Sequence, residues 1–314
     1  IYIFKALKNA KIKLKLFLHA ADTVWSSGTF YDQDGDGIKN FFIGSDISAN
    51  KYLNPVTHNG GYINSIRTVP DQITQKKYNF RDQKVLDWQT YFDQTVYASP
   101  IIADVLPSEG SELISGTGCY FSKNGQKSGR YKAILNLKSG KLLKTLNIEQ
   151  CSSGQVAVAD LDADGDLDIV ATSNDGDDDG NGSVVAFDPV NGTQFWITSV
   201  SWGAAGSVGP VTGDLDGNGS QEVIIADGNS TLILDGTNGG RLYEFIAGST
   251  VSSPVIADID GDSKPELVIL GKNKLFVKTN FTNNLDSTPT SQPAYLISTS
   301  KFRMNEANTG VFGE

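Results

Sequence analysis

Four short turns in this chain place oxygen-bearing side chains at nearly every second position. "DQDGDGIKN" supplies Asp32, Asp34, Asp36 and Asn40, and "DLDADGDLD" supplies Asp160, Asp162, Asp164, Asp166 and Asp168. "DLDGNGSQE" supplies Asp214, Asp216, Asn218 and Glu222, and "DIDGDSKPE" supplies Asp258, Asp260, Asp262 and Glu266. Two carboxylates about 4 Å apart repel by roughly 4 kcal/mol at an effective dielectric near 20, so this crowding needs a neutralising partner. A hard divalent cation is one, because Ca²⁺ accepts about six to eight oxygens in flexible geometry. The pattern D-x-[DN]-x-[DN]-G-x-x-[DEN] offers side-chain oxygens at positions 1, 3, 5 and 9, with a turn glycine at position 6. Gly37, Gly165 and Gly219 fill that turn position, whereas Ser263 replaces glycine in the last copy. The four turns hold fifteen acids, and four calcium ions would bring the formal net charge from −10 to −2. The related segment "ADVLPSEGSELISGT" keeps Asp104 but puts Leu106 and Ser108 where ligands belong, so no metal is expected there. A further stretch, "NDGDDDGNG" at 174–182, reads either as another cation site or as a solvated loop.

The elements that must position these turns repeat with them. The lead aspartates Asp32, Asp104, Asp160, Asp214 and Asp258 are 72, 56, 54 and 44 residues apart. Steps of about 40–55 residues suit a four-stranded propeller blade, and the longer first step suits a blade with an insertion. In each unit a short strand enters through small residues ("SSGTF", "ASPII", "VGPVT", "SSPVI") and runs into the acidic turn. A second strand follows, then two segments joined by a tight turn, as in "SVVAFDPVNGTQFWI" and "TLILDGTNGGRLYEF". Asn-Gly and Ser-Gly there are hairpin chemistry, since both residues tolerate positive φ. No stretch of ten or more residues carries a helical period. The expected fold is all-β, a propeller of four-stranded antiparallel blades over residues 1–279, with 280–314 as a polar tail or docked strap. "YIFKALKNAKIKLKLFL" reads as a third and fourth strand, and the last repeat as a first to third. If these ends meet in one composite blade there are five blades; if the chain is a fragment there are six or seven. The initial Ile is the reason to consider a processed protein or a fragment.

On these residues the chain resembles the FG-GAP/VCBS repeat family of calcium-binding propellers, to which the integrin α-subunit head belongs. The resemblance covers roughly residues 1–279, and the acidic turns are its most specific part. It implies that the turns join first and second strands on one face and hold calcium, about four ions, in a mainly structural role. "AFDPVNGTQFW" also resembles the hairpins of quinoprotein-type propellers, a more generic match.

Strand alternation puts the acidic turns and the strand 3–4 turns on one face, and the strand 2–3 loops and blade connections on the other. Cys119 and Cys151 share the second face. A disulfide is therefore expected, with two free thiols as the alternative; it would imply an oxidising compartment. The same face gathers Trp25, Tyr97, Trp202 and an insertion near 45–78 that contains His58. These are candidate partner-binding residues, and packing between blades is the other reading of the aromatics.

Acids outnumber bases 36 to 26, which disfavours nucleic acid and anionic membranes as partners. No apolar run approaches the length of a membrane helix, and the lysine-interleaved start does not read as a signal peptide. His19 and His58 are the only histidines, and there is no G-x-S-x-G or Gly-rich phosphate loop. The functional expectation is an extracellular or cell-surface (periplasmic or outer-surface if bacterial), non-catalytic propeller that binds protein or glycan on the face opposite the calcium turns, within a larger secreted or surface assembly. A purely structural propeller and a polysaccharide-acting enzyme are the alternatives.

Overall fold

The computed structural model describes residues 1–8, 11–49, 52, 57–68, 77–107, 110–123, 126–127, 129–148, 151, 153–174, 181–201, 209–248, 252–262, 264–271, 274–279, 281 and 296–299. Every regular element among them is a strand. The first sheet pairs β1 (Tyr2–Leu7) with β2 (Lys11–His19). Blade 1 contains β3 (Thr29–Tyr31), β4 (Asn40–Ile47), β5 (Gly60–Ile66) and β7 (Leu86–Phe92), and β6 (Lys77–Asn79) leaves it to lie parallel to β2. Blade 2 contains β8 (Ile101–Ala103), β9 (Glu112–Gly116), β12 (Tyr131–Asn136) and β13 (Leu142–Asn147), with the hairpin β10 (Ser122–Lys123) and β11 (Gln126–Lys127) between its second and third strands. Blade 3 is β14 (Val156–Ala159), β15 (Asp168–Asn174), β16 (Asn181–Phe187) and β17 (Gln194–Ser201). Blade 4 is β18 (Val211–Asp214), β19 (Glu222–Asp227), β20 (Ser230–Asp235) and β21 (Arg241–Ile246). The last sheet has three strands, β22 (Val255–Ala257), β23 (Glu266–Leu270) and β24 (Leu275–Lys278). Finally, β25 (Leu296–Thr299) pairs antiparallel with β18, the first strand of blade 4.

Strands such as "DIVATS" and "EVIIAD" lack a polar alternation because both of their faces are covered. Ile169 and Ala171 of β15 pack toward blade 2, with Ile134 and Val158, while Val170 packs toward blade 4, with Val223 and Leu232. Equivalent cores join blades 1 and 2 through Phe42, Trp88, Leu113 and Leu135, and join blade 4 to the last sheet through Ile224, Ile233 and Leu267. Leu16 and Leu18 of β2 seat the first sheet on Ile66 and Leu86 of blade 1.

Two features bear on the alternatives left open by the sequence and on its turn chemistry. The composite blade is not formed among the described residues: β1 and β2 stay with β6, and β22–β24 form their own sheet. The end of the first-repeat insertion supplies β6, which gives the amino-terminal pair a parallel partner from its own neighbourhood. The strand 3–4 turns are also not two-residue Asn-Gly hairpins. Gly140, Gly192 and Gly239 donate to the carbonyls of Asn136, Asp188 and Asp235, four residues back, at 2.8–2.9 Å. Only the glycines there have positive φ, 68°, 82° and 72°, and the preceding Ser or Asn does not. The side chain that opens each turn accepts a backbone N–H inside it, Asn136 from Ser139, Asp188 from Val190 and Asp235 from Thr237.

Cys119 and Cys151 form a disulfide, their Cα atoms 5.5 Å apart. It ties the strand 2–3 loop of blade 2 to the connection into blade 3. Closing a loop of 32 residues contributes roughly 3–4 kcal/mol in the chain-entropy account. Nearby, the fully buried Lys132 donates its ammonium to the Gly154 carbonyl of the same connection.

Candidate metal centres

Each acidic turn is the link between the first and second strands of its blade, and strand register fixes its last ligand position. Asn40 stands opposite Tyr31, Asp168 opposite Ala159, Glu222 opposite Gly213 and Glu266 opposite Ala257. At three of the four, this carboxylate reaches back to the backbone N–H of position 2. Leu161 donates to Asp168 at 2.9 Å, Leu215 to Glu222 at 2.7 Å and Ile259 to Glu266 at 2.9 Å. The lead aspartate folds the turn around itself. Asp214 accepts N–H groups from Gly217, Asn218 and Gly219, and Asp32 accepts them from Gly35, Asp36 and Gly37. The ligand positions are thus assembled by backbone hydrogen bonds local to the turn.

Two turn positions are left-handed. Gly37, Gly165 and Gly219 at position 6 have φ of 83°, 95° and 91°, as the sequence pattern anticipates. Position 4 is left-handed too, at Gly35, Gly217 and Gly261, and Ala163 holds it in blade 3 with φ 62°. Ala163 is the one non-glycine residue with positive φ among the described residues. That backbone costs an L-residue roughly 1–2 kcal/mol. Ala163→Gly is therefore expected to raise unfolding free energy by about 1 kcal/mol, part of the gain being offset by the entropy of a freer unfolded chain; urea denaturation in calcium measures it.

Carboxylate oxygens converge within 4.8 Å of one another in four groups: Asp32, Asp34 and Asp36; Asp160, Asp162 and Asp168; Asp214, Asp216 and Glu222; Asp258, Asp260 and Asp262. The first and last groups are largely exposed. The blade 4 group is different, because all three of its carboxylates are buried. Among the described residues no lysine or arginine pairs with them. Burial raises the Glu222 carboxyl to about 8, against the Leu215 N–H that lowers it and with Asp216, Asp214 and Asp235 adding repulsion. Asp168 is raised to about 7 chiefly by burial, then by Asp162, Asp164 and Asp160. Asp32 moves the other way: despite some desolvation, the N–H groups of Gly37, Gly35, Asp36 and Asp34 hold it below the usual range. An all-oxygen set closing on one point suits a hard divalent cation, which would offset both the repulsion and the burial cost.

The remaining sequence-derived positions divide. Asn218 accepts Ser220 N–H beside the blade 4 group. Asn40 is buried and its amide nitrogen donates to Ser65 and Asp87, away from the turn. Asp164 accepts Asp166 N–H, and both lie exposed outside the converging group of blade 3. Glu266 is buried and serves the Ile259 latch. Ser263 and residues 175–180 lie outside the described residues.

Sequence reading missed Glu112. It occupies position 9 of the Asp104 turn and accepts N–H groups from Val105 and Leu106 at 2.9 and 3.2 Å. Blade 2 therefore keeps the latch while Leu106 stands in place of a ligand. The "EL" of "SELISG" is the same strand opening as "QEVII" and "PELVI", which is the signal that could have found it.

On the opposite face, Trp25 is 67% exposed and meets Tyr97 edge-on, centroids 6.1 Å apart. Asp46 lies beside Trp25, and burial raises its carboxyl to about 6. Tyr120, next to Cys119, is exposed and lies close to Tyr97; it too was missed. His58 is exposed, and Trp202 lies outside the described residues.

Residues 214–269, which contain the buried blade 4 group and the last acidic turn, match the FG-GAP-like repeat family. No curated protein matches the chain in sequence. Among solved structures, the V. cholerae biofilm matrix protein Bap1 aligns with a TM-score of 0.51 and 22% identity, over 79% of this chain and 35% of that one. BamB from Moraxella catarrhalis gives 0.45 at 12% identity, covering 81% and 63%. The quinohemoprotein alcohol dehydrogenase ADHIIG from Pseudomonas putida HK5 gives 0.49 at 11% identity, covering 87% and 50%. This chain spans about a third of the length of Bap1, and the likeness concerns the propeller fold.

Proposed function

We propose that this chain is a calcium-stabilised β-propeller that acts, outside the cytoplasm, as a non-catalytic binding module for protein or glycan. One observation carries the calcium assignment: Asp214, Asp216 and Glu222 are buried together with converging oxygens and no described cationic side chain to balance them. The same turn recurs in blades 1 and 3 and in the last sheet, its lead aspartate accepting backbone N–H groups of the turn in each, so about four ions are assigned. The ions would be held by the aspartates at positions 1 and 3, joined by Asp168 and Glu222 in blades 3 and 4 and by Asp36 and Asp262 in the other two. Their role there is electrostatic and structural, pinning first strand to second. The Cys119–Cys151 disulfide supports an oxidising compartment, extracellular or periplasmic.

The opposite face supports binding. Trp25, Tyr97 and Tyr120 come from three separate chain segments and present aromatic surface near the buried Asp46. Exposed aromatics so grouped are typical anchors for a protein or sugar ligand. Pull-down and glycan-array binding with calcium or with EDTA test the reading. Capture in calcium, lost in EDTA and weakened about tenfold by Trp25→Ala, is expected. Equal capture by the Trp25→Ala variant removes this face from the proposal, and turnover of any array polysaccharide removes the non-catalytic reading.

A further inference from the structure

On the face opposite the acidic turns, three aromatic side chains gather beside two carboxylates. Trp25 is exposed and meets Tyr97 edge-on, their ring planes 83° apart. Two rings at that angle make a corner, not the flat platform on which a sugar lays its C–H face. Asp46 is buried beside this corner and holds its walls. Its backbone N–H donates to the Thr23 carbonyl at 2.9 Å, and its carboxylate accepts the Val96 N–H at 3.1 Å. One residue of β4 thus ties down both segments, 23–25 and 95–97, that carry the two rings. The Tyr97 ring lies against Gly118, where a Cβ would sit 3.0 Å from it. Two residues on, Tyr120 is exposed, lies close to Tyr97 and is anchored by the neighbouring disulfide at Cys119. Asp22 is exposed and near enough to Asp46 to repel its charge. Among the described residues, no lysine or arginine pairs with either carboxylate.

We propose that this corner binds the side-chain cation of a basic peptide, an arginine or lysine of a partner protein, with Trp25, Tyr97 and Tyr120 around the cation and Asp46 and Asp22 as its counter-charges. Aromatic ring faces attract organic cations, and rings set at an angle to one another can surround one. Ionised carboxylates accept hydrogen bonds and donate none, which matches guanidinium and ammonium groups that only donate. A carboxylate buried without a cation is costly. Burial raises Asp46 to about 6, against the Val96 N–H that lowers it and with Asp22 adding repulsion. A bound cation offsets both the burial and the repulsion. The inference rests on the binding role proposed above for this face and narrows its ligand to a protein.

The test uses immobilised peptides of one host sequence, Gly-Ser-X-Ser-Gly, with X as arginine, lysine, citrulline or glutamate, beside beads of laminarin and of chitosan, all in calcium. Arginine and lysine peptides are expected to capture the chain at least about tenfold better than citrulline, the uncharged isostere of arginine. Asp46→Asn keeps an acceptor for the Val96 N–H and is expected to weaken capture by the arginine peptide about tenfold. Asp22→Asn, at an exposed residue, is expected to weaken it about threefold. Asp188→Asn makes the same charge change on the opposite face, at a turn position where blade 2 carries Asn136, and is expected to change nothing. If Asp46→Asn does not fold, Asp22→Asn and the citrulline comparison still decide. The proposal is overturned by equal capture on arginine and citrulline, by unchanged capture of both Asp46→Asn and Asp22→Asn, by equal loss in Asp188→Asn, or by laminarin or chitosan binding as tight as the arginine peptide. Laminarin captured through Trp25 with no preference for the cation removes this inference alone and leaves the binding face in place.

Discussion

Chelation with EDTA is expected to lower the melting temperature of this protein by about 20 °C. Each cation held at a hundred times its dissociation constant adds about 2.7 kcal/mol to the folded state, so four sites add roughly 10 kcal/mol. A domain of this size shifts by about 2 °C per kcal/mol. Without the ions the buried Asp214, Asp216 and Glu222 repel one another and carry the desolvation cost that raises Glu222 to about 8. Asp216→Asn separates this from a general salt effect. Its side-chain oxygen can still accept the Asn218 N–H that Asp216 accepts at 3.1 Å, but it brings no charge. The variant should therefore melt below the unaltered protein in calcium and at or above it in EDTA. Scanning calorimetry in the two buffers reads both results. Coincident melting curves with and without calcium would remove the metal from the account.

Trp196→Ala is expected to cost about 3–5 kcal/mol, the usual range for emptying a buried aromatic site. Trp196 lies on β17 of blade 3 but is buried against blade 4, where its indole N–H donates to the Gly236 carbonyl at 2.7 Å. Thr198, two residues on, donates to the Gly239 carbonyl at 2.6 Å. Gly239 is held at φ 72° with no room for a Cβ, which would sit 2.5 Å from the indole. Blades 1 and 2 repeat the device, with Trp88 donating to Leu137 and Thr90 to Gly140. Between blades 2 and 3, Lys144 does the equivalent work by donating to the Val190 carbonyl. The fourth strand of one blade thus grips the strand 3–4 turn of the next. Trp196→Phe keeps most of the packing and loses the hydrogen bond, so about 1–2 kcal/mol is expected. Urea denaturation with an unchanged m-value measures both, and a Trp196→Ala loss below 1 kcal/mol would show that the contact does not hold the blades.

What sequence determined here is what local spacing determines. Aspartates at alternate positions followed by glycine specify a tight turn, because the lead side chain caps N–H groups three to five residues away, as Asp32 and Asp214 do. The turn phase then marks the strands, and the count of repeats marks the blades. Even Cys119 and Cys151 could be matched, since alternating strands assign every loop to a face. Tertiary structure decided the rest. Whether Asn40 turns toward a cation or toward Ser65 and Asp87 depends on a neighbour 47 residues away. The Trp88 and Trp196 grips depend on the adjoining blade, so sequence left those indoles without a partner. The amino-terminal strands look the same whether they complete a distant blade or pair with β6, because period-two patterning sets which face is apolar and not which edge is joined. Burial made the final distinction: four closely similar acidic turns differ in how deeply blade packing covers them, and only at Asp214, Asp216 and Glu222 are all three carboxylates withdrawn from water.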